Sequence, residues 1–431
     1  MPEVVNAFPR TPDAAEAFVD TLERVLDSGL EVTAGKSLSI GSEATFHELL
    51  NFGMVVENPR ERVIRSAVRG LNVPAAVARF VWMMAGSDRL ADIAFYEPKV
   101  RAFTDDGVSV PGSNYGQRLL QARPGLNQLT GAIRRLREDP SSRRAALVIY
   151  HPEDTVRESK DIPCTFGLFY HIRDGRLHAT TLMRSNNAFV LLPYNLFEFS
   201  LLAEVVATEC GVPLGPLTHI AVSMHVFARD VAAARDVISK RALSIPSIPI
   251  PPMPPSALAE VHELVVLESE LRHGSAALSA RNVEGWIDKG EKLSPYWRQY
   301  FYLLLVHVAR QNHDASALES IRSVLESPWR ELTPKRFLEL EQVAPAPMPE
   351  LDLEMPPGPP RATILPFTNT RLHQSLRDGV GRWEVSTGKI LPWRTFVTLE
   401  EHYGSTIAAQ GAELIDDSDL QARIDRLLDG A

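Results

Sequence analysis

Two apolar and aromatic runs, TFGLFYHI and LHATTLMR, stand on either side of Arg173-Asp174-Gly175-Arg176. Asp-Gly is a strong signal for a two-residue hairpin loop, because a type I′ turn needs positive φ at both central positions. Pairing across that turn sets Cys164, near the start of the first strand, close to Arg184, near the end of the second. A guanidinium beside a thiol lowers its pKa and favours thiolate, the nucleophilic form. A buried cysteine acting as a small hydrophobe is the competing reading for Cys164. Cys210, which ends an apolar helix just before Gly211, has no such company and reads as packing.

Around this hairpin the pattern is α+β. Helices are expected over 12–28 and 194–210, the second with Leu196, Phe199, Leu202, Val205 and Val206 on one face and Gly211 as its stop. RAALVIYH reads as a further strand. Two proline-rich stretches, 244–256 and 343–360, cannot be regular helix and read as extended spacers. They divide the chain into expected segments 1–244, 245–342 and 343–431. The middle one is helical in pattern (ALAEVHELVVLESELR, YWRQYFYLLLVHVARQ), and the last is mixed.

With 431 residues, 45% of them hydrophobic, the chain has enough apolar material for a sizeable core. It has no run of 18 apolar residues, and its N-terminal stretch lacks the order of a signal peptide, so a cytoplasmic protein with no membrane partner is expected. Two cysteines give no disulfide framework, and no spacing suggests a metal site. A net charge of -9 argues against nucleic acid as a partner, so any anion site must be a local gathering of arginines.

Six pieces in one collinear order, SNYGQRL, EDPSSRRAALVIY, IPCTFGLFY, DGRLHATTLMRSNN, LLPYNLFEFSLL and SMHVF, resemble the thymidylate synthase and pyrimidine-nucleotide hydroxymethylase superfamily over roughly residues 12–270. The resemblance implies a mixed β-sheet packed by helices, here with a helical C-terminal extension. It also implies a homodimer that moves one carbon from 5,10-methylenetetrahydrofolate to C5 of a pyrimidine nucleoside monophosphate. By the same resemblance Cys164 is the nucleophile that adds to C6, and Tyr115 assists proton transfer at C5. Arg184 and Ser185 bind phosphate, with Arg143 and Arg144 reaching it from the partner subunit. Asn195 reads the base; its amide suits O4 and N3–H of uracil, although a flipped amide could face cytosine. His225 and Phe227 meet the sugar, where Phe227 cannot hydrogen-bond, and Asn187 takes a folate-contacting position that the family fills with aspartate.

The departures bear on the outcome. Arg79 in ARFVWMM occupies the place of the family's catalytic glutamate, with Trp82 at the adjacent aromatic position, while HELL at 47–50 lies too far before Tyr115. Glu48, Glu57 and Glu61 are candidates to supply the carboxylate from another direction. Thr165 replaces the histidine after the nucleophile, and FYEPKVRAFTDDG replaces a tryptophan-rich stretch. A synthase must shield its C5 methylene from water, whereas a hydroxymethylase must admit one water. The expected activity is therefore C5-hydroxymethylation. Thymidylate synthase is the alternative, and a degenerate nucleotide-binding scaffold is the alternative from another class.

Overall fold

In the computed structural model Asp174 and Gly175 have φ of 49° and 69°, and both central positions of the turn are left-handed. On that turn β5 (Thr165–Arg173) and β6 (Arg176–Asn187) pair antiparallel with Arg173 opposite Arg176. The structure describes residues 8–34, 44–241 apart from 67, 122 and 124, 249–333, and 422 and 424–426. The second proline-rich stretch and nearly all of the last expected segment lie outside the described residues.

The remaining strands are β1 (Arg10–Thr11), β2 (Leu30–Ala34), β3 (Ala44–Val56), β4 (Ala145–Val148) and β7 (Leu214–Phe227). They join the hairpin in the order β1-β3-β7-β6-β5-β4, with β2 paired to β3. The pairs β1–β3 and β6–β7 are parallel and the others antiparallel, so the sheet is mixed. Register divides its two faces. Leu147, Leu168, Thr181 and His219 lie opposite one another across four strands and are all buried. One step along, Ala146, Phe169, Thr180 and Thr218 form a row that stays partly exposed. Alternation along each strand thus makes one face core and leaves the other half-covered.

Helices cover the buried face. Among them α1 (Ala14–Ser28) packs on β3, and its Asp13 N-cap accepts from the Glu16 N–H at 2.9 Å. After α2 (Val73–Ala85), α3 (Leu90–Ala94) and α4 (Tyr115–Leu120), helix α5 (Gln128–Glu138) packs on β4. The crossover from β6 to β7 is α6 (Leu192–Glu209), buried without a break from Asn195 to Ala207. A helix apolar all round must be enclosed all round. The sheet lies on one side of α6, and α2 and α8 (Ala257–Gly274) lie against it elsewhere.

Beyond α7 (Val231–Ser239), the sequence-expected helical extension comprises α8, α9 (Val283–Gly290), α10 (Pro295–Gln311) and α11 (Ala315–Val324). Helices α8 and α10 pack on α2, and one hydrophobic core runs from Phe18 through Phe199 to Trp297 and Ile321. The described end of the first proline-rich stretch follows the same surface, with Ile250 and Met253 buried. No helix among the described residues is long and apolar enough to cross a membrane.

A buried polar hub fastens this junction. Glu204 of α6 pairs with fully buried Arg62, accepts from Arg60 Nε at 2.7 Å and from the Met253 N–H at 3.2 Å, and receives Tyr296 Oη of α10 at 3.4 Å. Arg62 and Tyr296 in turn reach Tyr300 Oη, at 3.4 and 3.1 Å. Burial alone would raise the Glu204 carboxyl, but the two guanidiniums overcome it and hold the group below its ordinary value. Removing one partner of such a pair strands the other charge, so Arg62→Met should lower stability by about 3 kcal/mol. Urea unfolding measures this, and a loss below about 1 kcal/mol would mean that Arg60 alone sustains the hub.

Candidate active site

The hairpin brings Cys164 and Arg184 together as their spacing predicts. The Arg184 N–H donates to the Cys164 carbonyl at 2.8 Å, and its Nη2 stands 3.8 Å from Sγ. The same guanidinium donates to the carbonyls of Pro163 and Ile162, at 2.8 and 3.0 Å, which anchors it over the loop before β5. The electrostatic outcome differs from the sequence expectation. Burial pushes the thiol above its ordinary value, Arg184 pulls it down, and the neighbouring carboxyl of Asp161 pushes it up again. A single guanidinium shared with two carbonyls does not outweigh desolvation.

Tyr115 begins α4 under its Asn114 N-cap and stacks on Phe199 of α6 with ring centroids 6.2 Å apart. It is a buried residue in the first turn of that helix. Its phenol is raised by burial first and then by Cys164 and Glu198, with Thr165 and Arg79 acting the other way. Those residues mark a cluster that the sequence reading did not assemble. Arg79 pairs with Glu198 of α6 and, through Nη1 at 3.0 Å, with Glu97. Glu198 is 3% exposed, and burial raises its carboxyl, with Arg79 opposing.

The cation at the family's glutamate position therefore has a carboxylate directly against it. The three acids weighed from sequence are engaged elsewhere: Glu48 with Ser223, Glu57 with Arg10, and Glu61 with Asn58. A signal for Glu198 was present. The apolar run VPAAVARFVWMMA carries Arg79 and the run LPYNLFEFSLLAEVV carries Glu198 and Glu204, charges that cannot be buried without opposite ones.

At the head of α6, Asn195 is 4% exposed and its Oδ1 accepts from Asn186 Nδ2 at 3.0 Å. Ser185 Oγ lies 3.5 Å from His225 Nδ1, and His225 packs edge-on against Phe227. Burial lowers the His225 pKa, with Glu48 opposing. Asn187 Oδ1 accepts from the Val190 N–H at 2.8 Å and so caps the turn into α6. Trp82 is buried in a separate small cluster with Leu90, Ile93, Val100 and Val110.

Arg143 and Arg144 are exposed, and neither guanidinium has a hydrogen-bond partner among the described residues. They precede β4, whose first residue, Ala145, faces Tyr170 near the far end of β5. Cys164 lies at the other end of β5, roughly 20 Å away at a strand's rise per residue. In one chain these two arginines do not join Cys164, Arg184 and Ser185.

The thymidylate synthase family model matches residues 16–268, more than half of the chain. The chain belongs to the thymidylate synthase family. Its mixed sheet covered by helices is the fold of that family. The deoxyuridylate hydroxymethyltransferase of Bacillus phage SP01 is 29% identical over 230 residues, which are 51% of this chain and 58% of that protein. A putative thymidylate synthase of Methanosarcina acetivorans is 32% identical over 158 residues, 35% of this chain and 72% of that one. The solved structure of thermostable thymidylate synthase A from Bacillus subtilis has a TM-score of 0.44 at 20% identity, covering 52% of this chain and 83% of that one. The match thus spans under two thirds of the phage relative's own length.

Arg184 is the one cation among the described residues that acts on the Cys164 thiol, so Arg184→Ala should raise the apparent thiol pKa further and, if Arg184 also holds a phosphate as its motif implies, weaken nucleotide binding at the same time. Alkylation rate against pH and a binding titration read the two effects. If neither moves, the guanidinium does not govern this thiol.

Proposed function

We propose that this family member transfers one carbon from 5,10-methylenetetrahydrofolate to C5 of a pyrimidine nucleoside monophosphate and releases the 5-hydroxymethyl nucleotide. The observation that carries the reading is the convergence of Cys164, Arg184, Tyr115 and the Arg79–Glu198 pair at the head of β5 and α6. C5 of an intact pyrimidine is not nucleophilic. Addition of a soft thiolate at C6 makes C5 an enolate-like carbon, with the charge shared by the oxygen or nitrogen at C4. Asn195 meets that edge of the base, and Arg184 and Ser185 hold the phosphate. His225 lies toward the sugar.

Tyr115 and Glu198 are the proton-handling groups in this proposal. Burial raises both, Glu198 against the opposing pull of Arg79, which suits the two groups to exchange protons in the C5 steps. Arg79 keeps the Glu198 carboxyl oriented. Glu198 would then perform from α6 the task that the family assigns to α2, with the cation and the carboxylate exchanged between the helices.

The folate supplies the one-carbon unit at the oxidation level of formaldehyde. Asn187 would contact it: Oδ1 is used by the Val190 N–H, whereas Nδ2 has no described partner and is free to meet a pterin carbonyl. Two features support water rather than hydride as the final nucleophile. Trp82 is spent on its own cluster, and the tryptophan-rich stretch of the synthases is absent. The names of two phage relatives, from SP01 and M6, point the same way, while the archaeal relatives are named putative thymidylate synthases.

The reading also includes a homodimer. Arg143 and Arg144, just before β4, have no partner among the described residues, and Val148, Phe166 and Val222 are exposed on the sheet. A second copy packed through this sheet would cover apolar surface and carry the two arginines to the partner's phosphate.

Incubation with methylenetetrahydrofolate and each of UMP, dUMP, CMP and dCMP should give a hydroxymethyl product by mass for one of them. A methyl product would turn the reading to thymidylate synthase. Cys164→Ala should abolish turnover while nucleotide binding persists, and full activity in that variant would overturn the mechanism. Glu198→Gln should lower kcat by roughly a hundredfold with a smaller change in KM, and a kcat left within about twofold would leave proton handling to Tyr115 alone.

A further inference from the structure

Behind Asn195 runs a line of buried polar groups that the proposed chemistry does not use. Thr181 of β6 and His219 of β7 are opposite in register, with Thr181 Oγ1 2.6 Å from His219 Nδ1. His219 Nε2 lies 2.9 Å from Asn186 Oδ1, and Asn186 Nδ2 donates to Asn195 Oδ1 at 3.0 Å. Thr181 and His219 are 0% exposed, Asn186 1% and Asn195 4%. Burial holds the imidazole neutral, with its pKa pushed down to about 4, so one ring nitrogen carries a hydrogen and the other accepts.

The direction of the line follows from its closed end. Thr181 Oγ1 has no hydrogen-bond partner other than His219 among the described residues. If its hydroxyl did not donate to Nδ1, that hydrogen would be buried and unpaired. Nδ1 therefore accepts, Nε2–H donates to Asn186 Oδ1, and Asn186 Nδ2 donates to Asn195 Oδ1. Reversing every link is possible at His219 and at both amides, but it leaves the Thr181 hydroxyl with nowhere to donate. The open end is then fixed as well: Asn195 keeps its Nδ2 hydrogens without a described partner, and its Oδ1 has one lone pair already taken.

We infer that Thr181, His219 and Asn186 form a one-way relay that locks the Asn195 amide with its N–H groups toward the ligand, so that the site takes a pyrimidine bearing oxygen, not an amino group, at C4. The ligand class is a uracil nucleotide. Oxygen at C4 accepts from Nδ2, whereas the amino group of cytosine would set donor against donor. This rests on Asn195 being the base contact of the proposed function. The three relay residues are positioning residues, since none of them touches the base.

The test uses the full-length protein and its Thr181→Val and Thr181→Ser variants. Nitrogen chemical shifts of His219 report the tautomer with no ligand present, and calorimetry gives Kd for dUMP and dCMP. The expected tautomer is Nε2–H in the native protein and in Thr181→Ser, and a mixture in Thr181→Val. The Kd preference for dUMP should fall by roughly tenfold in Thr181→Val and return in Thr181→Ser, which keeps the hydroxyl. An Nδ1–H tautomer in the native protein overturns the relay even if Thr181→Val fails to fold. An unchanged dUMP preference in a folded Thr181→Val overturns its control of the base. If neither nucleotide binds while the Nε2–H tautomer is found, the nucleotide-site reading fails and the selection fails with it, although the direction of the hydrogen bonds stands.

Discussion

The structure depends on what α6 does with two buried carboxylates. A helix enclosed on every side would be simplest if wholly apolar, yet α6 carries Glu198 and Glu204, both almost inaccessible. Each is held by an arginine from another element: Arg79 from α2 for the first, and Arg62 from the segment before α2 for the second. The desolvation cost of a buried carboxylate is offset only by such a charge-assisted pair, and the pair in turn fixes where its partner element lies. The two ends of α6 are thereby given different tasks. The Glu204 end fastens α6 to the helices of the extension through Met253 and Tyr296. The Glu198 end faces Tyr115 and, beyond it, Cys164.

The environment of the thiol follows from the same crowding. The loop that carries Cys164 is pinned by Arg184, and the guanidinium close enough to favour thiolate is also the clamp that holds the loop. In one chain, desolvation outweighs Arg184 and pushes the thiol above its ordinary value. In the proposed dimer, two further guanidiniums would arrive with the partner and strengthen the positive field around the phosphate. Reactivity would then be linked to assembly, which suits a nucleophile that should not react before its substrate is in place.

Much of the fold was legible in the sequence because its signals are local. The Asp-Gly turn fixed the hairpin register, the apolar runs of α6, α8 and α10 marked those helices, and Gly211 stopped α6 with φ of 70°. Collinear motifs located the loop of Cys164 and the run from Arg184 to Asn187. The Arg79–Glu198 pair was not found, because its partners are 119 residues apart. Sequence distance carries no signal about which of several acids a buried arginine will meet, and Glu48, Glu57 and Glu61 were equally open. The relay behind Asn195 was hidden for the same reason: Thr181 and His219 become neighbours only through the parallel register of β6 and β7.

The sequence by itself therefore determined the elements, the hairpin and the residue types at the site, since hydrophobic period, turn chemistry and short motifs act over a few residues. The tertiary structure decided which charges pair, how strongly burial shifts them, and that Arg143 and Arg144 end up far from the thiol of their own chain. Those quantities depend on distance and dielectric in three dimensions, and both are set only when α6 is enclosed between the sheet and the surrounding helices.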